Sequence, residues 1–137
     1  MVKVIMGLKG SGKTKTLVEL VRKAVNEENG DVVCIEKDKN LTYDIPYRAR
    51  LIHASDYDIN TNERFRGFIC GLHAGNYDIT HVFIDNFFKM LDDTSNEAVE
   101  QLLDKMEAFS QKNCVKFTVS ITADPATVSE GIKKYFM

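Results

Sequence analysis

Hydrophobic and polar positions along the chain follow two alternating periods. Short apolar, β-branched runs occupy residues 1–6 (MVKVIM), 31–36 (DVVCIE), 49–54, 80–86 (THVFIDN) and 115–122 (VKFTVSIT). Runs of this length with little polar alternation are what strands buried on both faces of a parallel sheet require. Between them the spacing becomes helical. Leu17, Leu20, Val21, Ala24 and Val25 share one face of a helix over 15–29 that stops at Asn29-Gly30. Phe65, Phe68, Ile69 and Leu72 do the same over 61–74, with Asn60 or Thr61 as N-cap. Gly67 and Gly71 in that helix each cost about 1 kcal/mol relative to alanine, which predicts close backbone approach to a neighbouring element. A capping box, Thr94 with Glu97, opens a third helix that buries Val99, Leu102, Leu103, Met106 and Phe109. Asp124-Pro125 reads as the start of a last helix, with Val128, Ile132 and Phe136 facing inward and Lys133 and Lys134 at its C-terminal end.

Strands alternating with helices predict an α/β fold: a three-layer, doubly wound, mainly parallel sheet of four or five strands with flanking helices, in one domain over residues 1–137. Composition adds bounds to that picture. With 44% hydrophobic and 28% charged residues the chain is ordinary for a globular protein, and at 137 residues it has little room for a substrate-binding insertion. A net charge of −2 does not indicate nucleic acid or an anionic membrane as partner. No apolar run is long enough to span a membrane. Cys34, Cys70 and Cys114 are far apart and set in apolar surroundings, so they are expected as buried, reduced thiols, and a cytoplasmic location is expected with them.

The chemistry concentrates just after the first strand. Gly7, Leu8, Lys9, Gly10, Ser11, Gly12, Lys13 and Thr14 spell GLKGSGKT, with Lys15 next in the helix. This satisfies G-x-x-x-x-G-K-[ST], in which backbone N–H groups wrap phosphates, the lysine neutralises them and the hydroxyl reaches Mg²⁺. The strand, loop and helix order around it is the context the pattern needs. A second strand, residues 80–86, carries Asp85 at its carboxyl end, facing the same edge. Open parallel sheets bind ligands at that edge.

Together the loop and the acid-tipped strand resemble the P-loop NTPase superfamily. The resemblance implies a P-loop fold, ATP and Mg²⁺ as ligands, Lys13 as the catalytic cation, Gly7 to Lys15 as the nucleotide-contacting run, and Thr14 with Asp85 on the metal. Element order is loosely similar to type II thymidine kinases and RecA-like ATPases. In those kinases the acidic strand reads apolar-Asp-Glu-x-x-Phe-Phe; here FIDNFF, Phe83 to Phe88, carries Asn86 where the carboxylate base stands, and the four cysteines of the zinc-binding lasso are missing. By similarity to secretion and pilus-retraction ATPases, Glu36 or Asp38 is a candidate for orienting water. Ser120 or Thr122, at the tip of the strand after the acidic one, is a candidate γ-phosphate sensor. Arg48, Arg50, Arg64 and Arg66 are candidates for an arginine acting across an interface, while His53, His73 and His81 lack metal-like spacing. No N-K-x-D motif is present to read guanine, so ATP is the expected base.

The expected function is a small ATP-binding protein whose slow hydrolysis is stimulated by a protein partner or by self-assembly into a homo-oligomer. Two alternatives remain. One is a phosphotransferase acting on a nucleoside-like acceptor held by residues 38–50; the other is a protein-interaction module with a relict, nucleotide-free loop.

Overall fold

The computed structural model describes residues 1–137. In chain order the elements are β1 (Val2–Gly7), α1 (Lys13–Glu27), β2 (Asp31–Glu36), β3 (Arg50–His53), α2 (Asn62–Gly75), β4 (Ile79–Ile84), α3 (Asn96–Asn113), β5 (Lys116–Thr122) and the one-turn α4 (Glu130–Lys133). Short 3₁₀ turns at Ala54–Tyr57 and Phe87–Met90 follow β3 and β4. The five strands form one sheet in the order β1-β5-β4-β2-β3, and every pairing is parallel. All five carboxyl ends therefore lie at one edge.

Side-chain alternation divides the core between the two faces of this sheet. Val33, Ile35, Val82, Ile84, Phe117, Val119 and Ile121 point to one side, where Phe65 and Ile69 of α2 and Val99, Leu103 and Met106 of α3 cover them. Val32, Cys34 and Phe83 point to the other, under Leu17, Val21 and Val25 of α1. The loop after β2 completes that second layer with Leu41, Ile45 and Ala49. On the free edge of β1 the chain end adds a rudiment of another strand: Val4 N–H donates to Tyr135 O at 2.8 Å and Met137 N–H donates to Val4 O at 3.1 Å.

Several local expectations shift. Helix α3 is capped by Ser95, which accepts from Ala98 N–H at 3.3 Å, rather than by Thr94; two residues in the N-cap class stand side by side, and the later one has the extended backbone a cap needs. Asp124 caps a turn, not a helix: its side chain accepts from Ala126 N–H at 2.9 Å, and helix begins only after Ser129. A Cβ built on Gly67 or Gly71 meets nothing within 4 Å, so these glycines face open space and not a packed neighbour. Cys34 is buried, but Cys70 and Cys114 are exposed. No helix is long and apolar enough to cross a membrane.

Candidate functional site

The loop between β1 and α1 needs its glycines for distinct reasons. Gly10 and Gly12 both sit at φ 85°, a region closed to most residues with a Cβ. At Gly7 a Cβ would collide with the Ser11 side chain, so the loop can fold back only over a bare backbone. Gly12 is the N-cap of α1 and offers no side chain to its first-turn N–H groups. That turn contains no acidic residue and instead begins Lys13, Thr14, Lys15. Uncapped amides and two lysines at the positive end of a helix work against local stability, and an anion is what would relieve both.

Lys13 is only 8% exposed, and its ammonium donates to Leu8 O at 3.1 Å. Lys39, Lys116, Lys133 and Lys134 form ion pairs, whereas Lys9, Lys13, Lys15 and Lys89 form none. Asp85, one residue beyond β4, is 5% exposed and likewise has no ion-pair partner. Neutral donors surround its carboxylate. Ser120 Oγ donates to Oδ1 at 2.7 Å, Thr14 Oγ1 approaches the two oxygens at 3.2 and 3.4 Å, and Asn86 Nδ2 donates to Oδ2 at 3.4 Å. Thr14 and Asp85 are 71 positions apart in sequence, and β5 lies between their two strands. The adjacency is tertiary. Ser120, fully buried on β5, holds the acid's side of it: it donates to Asp85 and accepts from Asn86 N–H at 2.9 Å.

Asn86 adopts the left-handed conformation at φ 51°, which asparagine tolerates better than most residues. Its side-chain oxygen accepts from Thr122 Oγ1 at 3.1 Å. At and beyond this turn Asn86, Phe88, Lys89 and Thr94 border the same space as the glycine loop. Between them lies an open cleft of about 750 Å³ lined by Lys9, Gly10, Gly12, Lys13, Thr14, Lys15, Asn86, Phe88, Lys89, Thr94 and Thr122. Sequence reasoning did not find Phe88, Lys89 or Thr94. The one available signal was Phe87 and Met90, spaced three apart, with Phe88 and Lys89 left between them.

Glu36 lies elsewhere. It is 3% exposed at the end of β2, where one carboxylate oxygen accepts from Asn40 N–H at 2.9 Å and both accept from Leu41 N–H at 3.2 and 3.1 Å, with His53 Nδ1 at 3.4 Å. Its oxygens are turned into its own loop, not into the cleft. None of residues 38–50 lines the cleft either: Tyr43 and Tyr47 point into solvent, and Arg48 donates to Asn26. Arg64 donates to Asp58 O and Asn60, on the α2 side of the sheet.

No three His, Cys, Asp or Glu side chains are grouped to hold a metal. Mg²⁺ does not need such a cage. It takes one or two carboxylates and completes its shell with water and substrate phosphates, and the Asp85 carboxylate beside the Thr14 hydroxyl at the glycine loop fits that donor set.

At the opposite end of the sheet, His81 bridges Glu28 Oε2 at 2.7 Å and Thr118 Oγ1 at 2.8 Å, and stacks on Phe83 with ring centroids 4.0 Å apart. Burial pushes the imidazole below its ordinary pKa against the pull of Glu28. Burial is the largest single influence on Glu28 and opposes its charge, but His81, Thr80 and Lys116 together outweigh it and hold the carboxyl below the usual range.

No protein-family model matches the chain, and no curated protein matches its sequence.

Proposed function

We propose that this chain is a P-loop protein that binds a Mg²⁺–nucleoside triphosphate, with ATP as the nucleotide, in the cleft between residues 7–15 and 86–94. The observation that carries the reading is the Thr14–Asp85 pair, at 3.2 Å, beside an uncapped, lysine-flanked helix start. Two buried, oppositely charged groups without ion-pair partners, Lys13 and Asp85, cost several kcal/mol each in isolation. A ligand that brings both phosphate and a divalent cation offsets both costs at once.

Each residue then has a task. The amides of Gly10 to Lys15 and the start of α1 hold the phosphates, and Lys13 neutralises their charge. Thr14 and Asp85 hold the metal, which when bound would withdraw charge from the phosphates. Ser120 keeps Asp85 aimed at the cleft. Fast hydrolysis also needs a group that orients the attacking water. Asn86, beside the acid, has no carboxylate for this, and Glu36 is occupied by its own loop. Unaided hydrolysis is therefore slow, and a residue supplied by a protein partner or a second copy of the chain accelerates it.

Calorimetric titration with Mg-ATP tests the first step, using Lys13→Ala as control. Saturable heat in the wild type and at least a tenfold weaker response in the variant are expected, in line with about 1.5–3 kcal/mol for hydrogen bonds to charged groups. No heat in the wild type would end the reading.

A further inference from the structure

Residues 86–94 bring to the cleft one cation whose placement the loop motif does not explain. The 3₁₀ turn Phe87–Met90 is pinned at both ends, because Phe87 and Met90 are fully buried and Phe87 packs edge-on against Phe65 with centroids 5.0 Å apart. Residues three apart eclipse in such a turn, so the two between them are directed away from the core. Phe88 and Lys89 consequently line the cleft. The backbone behind them is held as well, with Lys89 N–H donating to Asn86 O at 3.0 Å. Lys89 makes no ion pair, although Asp92 and Asp93 follow it closely in sequence. A lysine on a fixed turn, unpaired and facing three others across an open cleft, is arranged for an anion.

We propose that Lys89 recognises the terminal phosphate and gives the cleft its preference for nucleoside triphosphates over diphosphates. The inference rests on the triphosphate reading above. If Thr14 and Asp85 hold the cation, its charge would favour the terminal phosphate on the Asp85 side of the glycine loop. Asn86, next after Asp85 in the chain, and Lys89, four residues after it, both line the cleft. The loop amides serve the inner phosphates, which a diphosphate also has, and Lys13 reaches both the β- and γ-phosphates. Lys89 would add an interaction that only the triphosphate can use, so its removal lowers the triphosphate-to-diphosphate affinity ratio and not affinity in general.

The test measures, by calorimetry at fixed ionic strength, binding of a non-hydrolysable Mg-ATP analogue and of Mg-ADP to wild type, Lys89→Ala and Lys89→Arg. Lys89 is exposed, so both variants are expected to fold, with circular dichroism and melting temperature as the check. The expected result is a roughly tenfold fall in the affinity ratio for Lys89→Ala, about 1.4 kcal/mol, with Mg-ADP affinity moved less than twofold and the ratio retained in Lys89→Arg. An unchanged ratio in Lys89→Ala, equal losses for both nucleotides, or a wild type without preference overturns the role of Lys89 while leaving the triphosphate site standing. Binding of neither nucleotide to the wild type overturns the site itself, and Lys89 with it.

Discussion

Removing one oxygen from Ser120 should measure how the buried acid Asp85 is supported. Ser120→Ala deletes the donor to Asp85 Oδ1 at 2.7 Å and the acceptor of Asn86 N–H at 2.9 Å, at a side chain with no exposure. The first bond is charge-assisted and contributes about 1.5–3 kcal/mol, and the stranded N–H costs about 1–3 kcal/mol. The two are not additive, since Thr14 and the Asn86 amide can still solvate the carboxylate. The void is too small to add a cavity penalty of its own. A net loss of about 2–4 kcal/mol is expected, and for a domain of this size, at roughly 3 °C per kcal/mol, a fall in melting temperature of about 6–12 °C. Urea denaturation at pH 7.5 gives the free energy directly, with an unchanged m-value confirming that the folded and unfolded states are otherwise comparable. Thr122→Ala is the control: it also loses a hydroxyl bonded to Asn86, at 3.1 Å, but an exposed one, and should change stability by about 0.5 kcal/mol or less. If Ser120→Ala is no more costly than Thr122→Ala, the serine does not carry the acid and the reasoning fails.

Two other predictions address parts of the molecule away from the cleft. His81 and Glu28 both titrate lower in the folded chain than when unfolded, so the unfolded chain binds more protons and stability falls with acidification. The decline should begin near the unfolded histidine value of about 6.5 and deepen below about 4.3 as Glu28 takes up its proton. The groups facing His81 are Glu28, Lys116 and the N-terminal amine, and His81→Gln should flatten the melting-temperature profile between pH 7.5 and 5.5; a slope identical to wild type would contradict it. On the exposed face of α2, Gly67→Ala and Gly71→Ala meet nothing within 4 Å and should each stabilise the protein by about 0.5–1 kcal/mol in urea titrations. Destabilisation by either would mean that this face is not free in solution.

Hydrophobic periodicity determined the five strands, the three long helices and the fold class, because burial on a strand or a helix leaves its period in the residues themselves. The five apolar runs became five parallel strands, β2 at the same bounds as its run. The glycine loop was legible for a similar reason: backbone at φ 85° at Gly10 and Gly12 admits few other residues, so the conformation is written in the residue type. Asp85 could be placed at the loop's edge of the sheet from the direction of its strand. Partners that depend on strand order were not legible. Only the pairing of β5 with β4 puts Ser120 beside Asp85, and only the pairing of β2 beside β4 brings Glu36 close to the site's level while its own loop amides claim its carboxylate. Lys89 was hidden because four residues of 3₁₀ turn are too short to show a period. Spacing along a chain reports which face of an element is buried; which elements share that face, and which polar groups meet there, is decided by pairings between residues tens of positions apart.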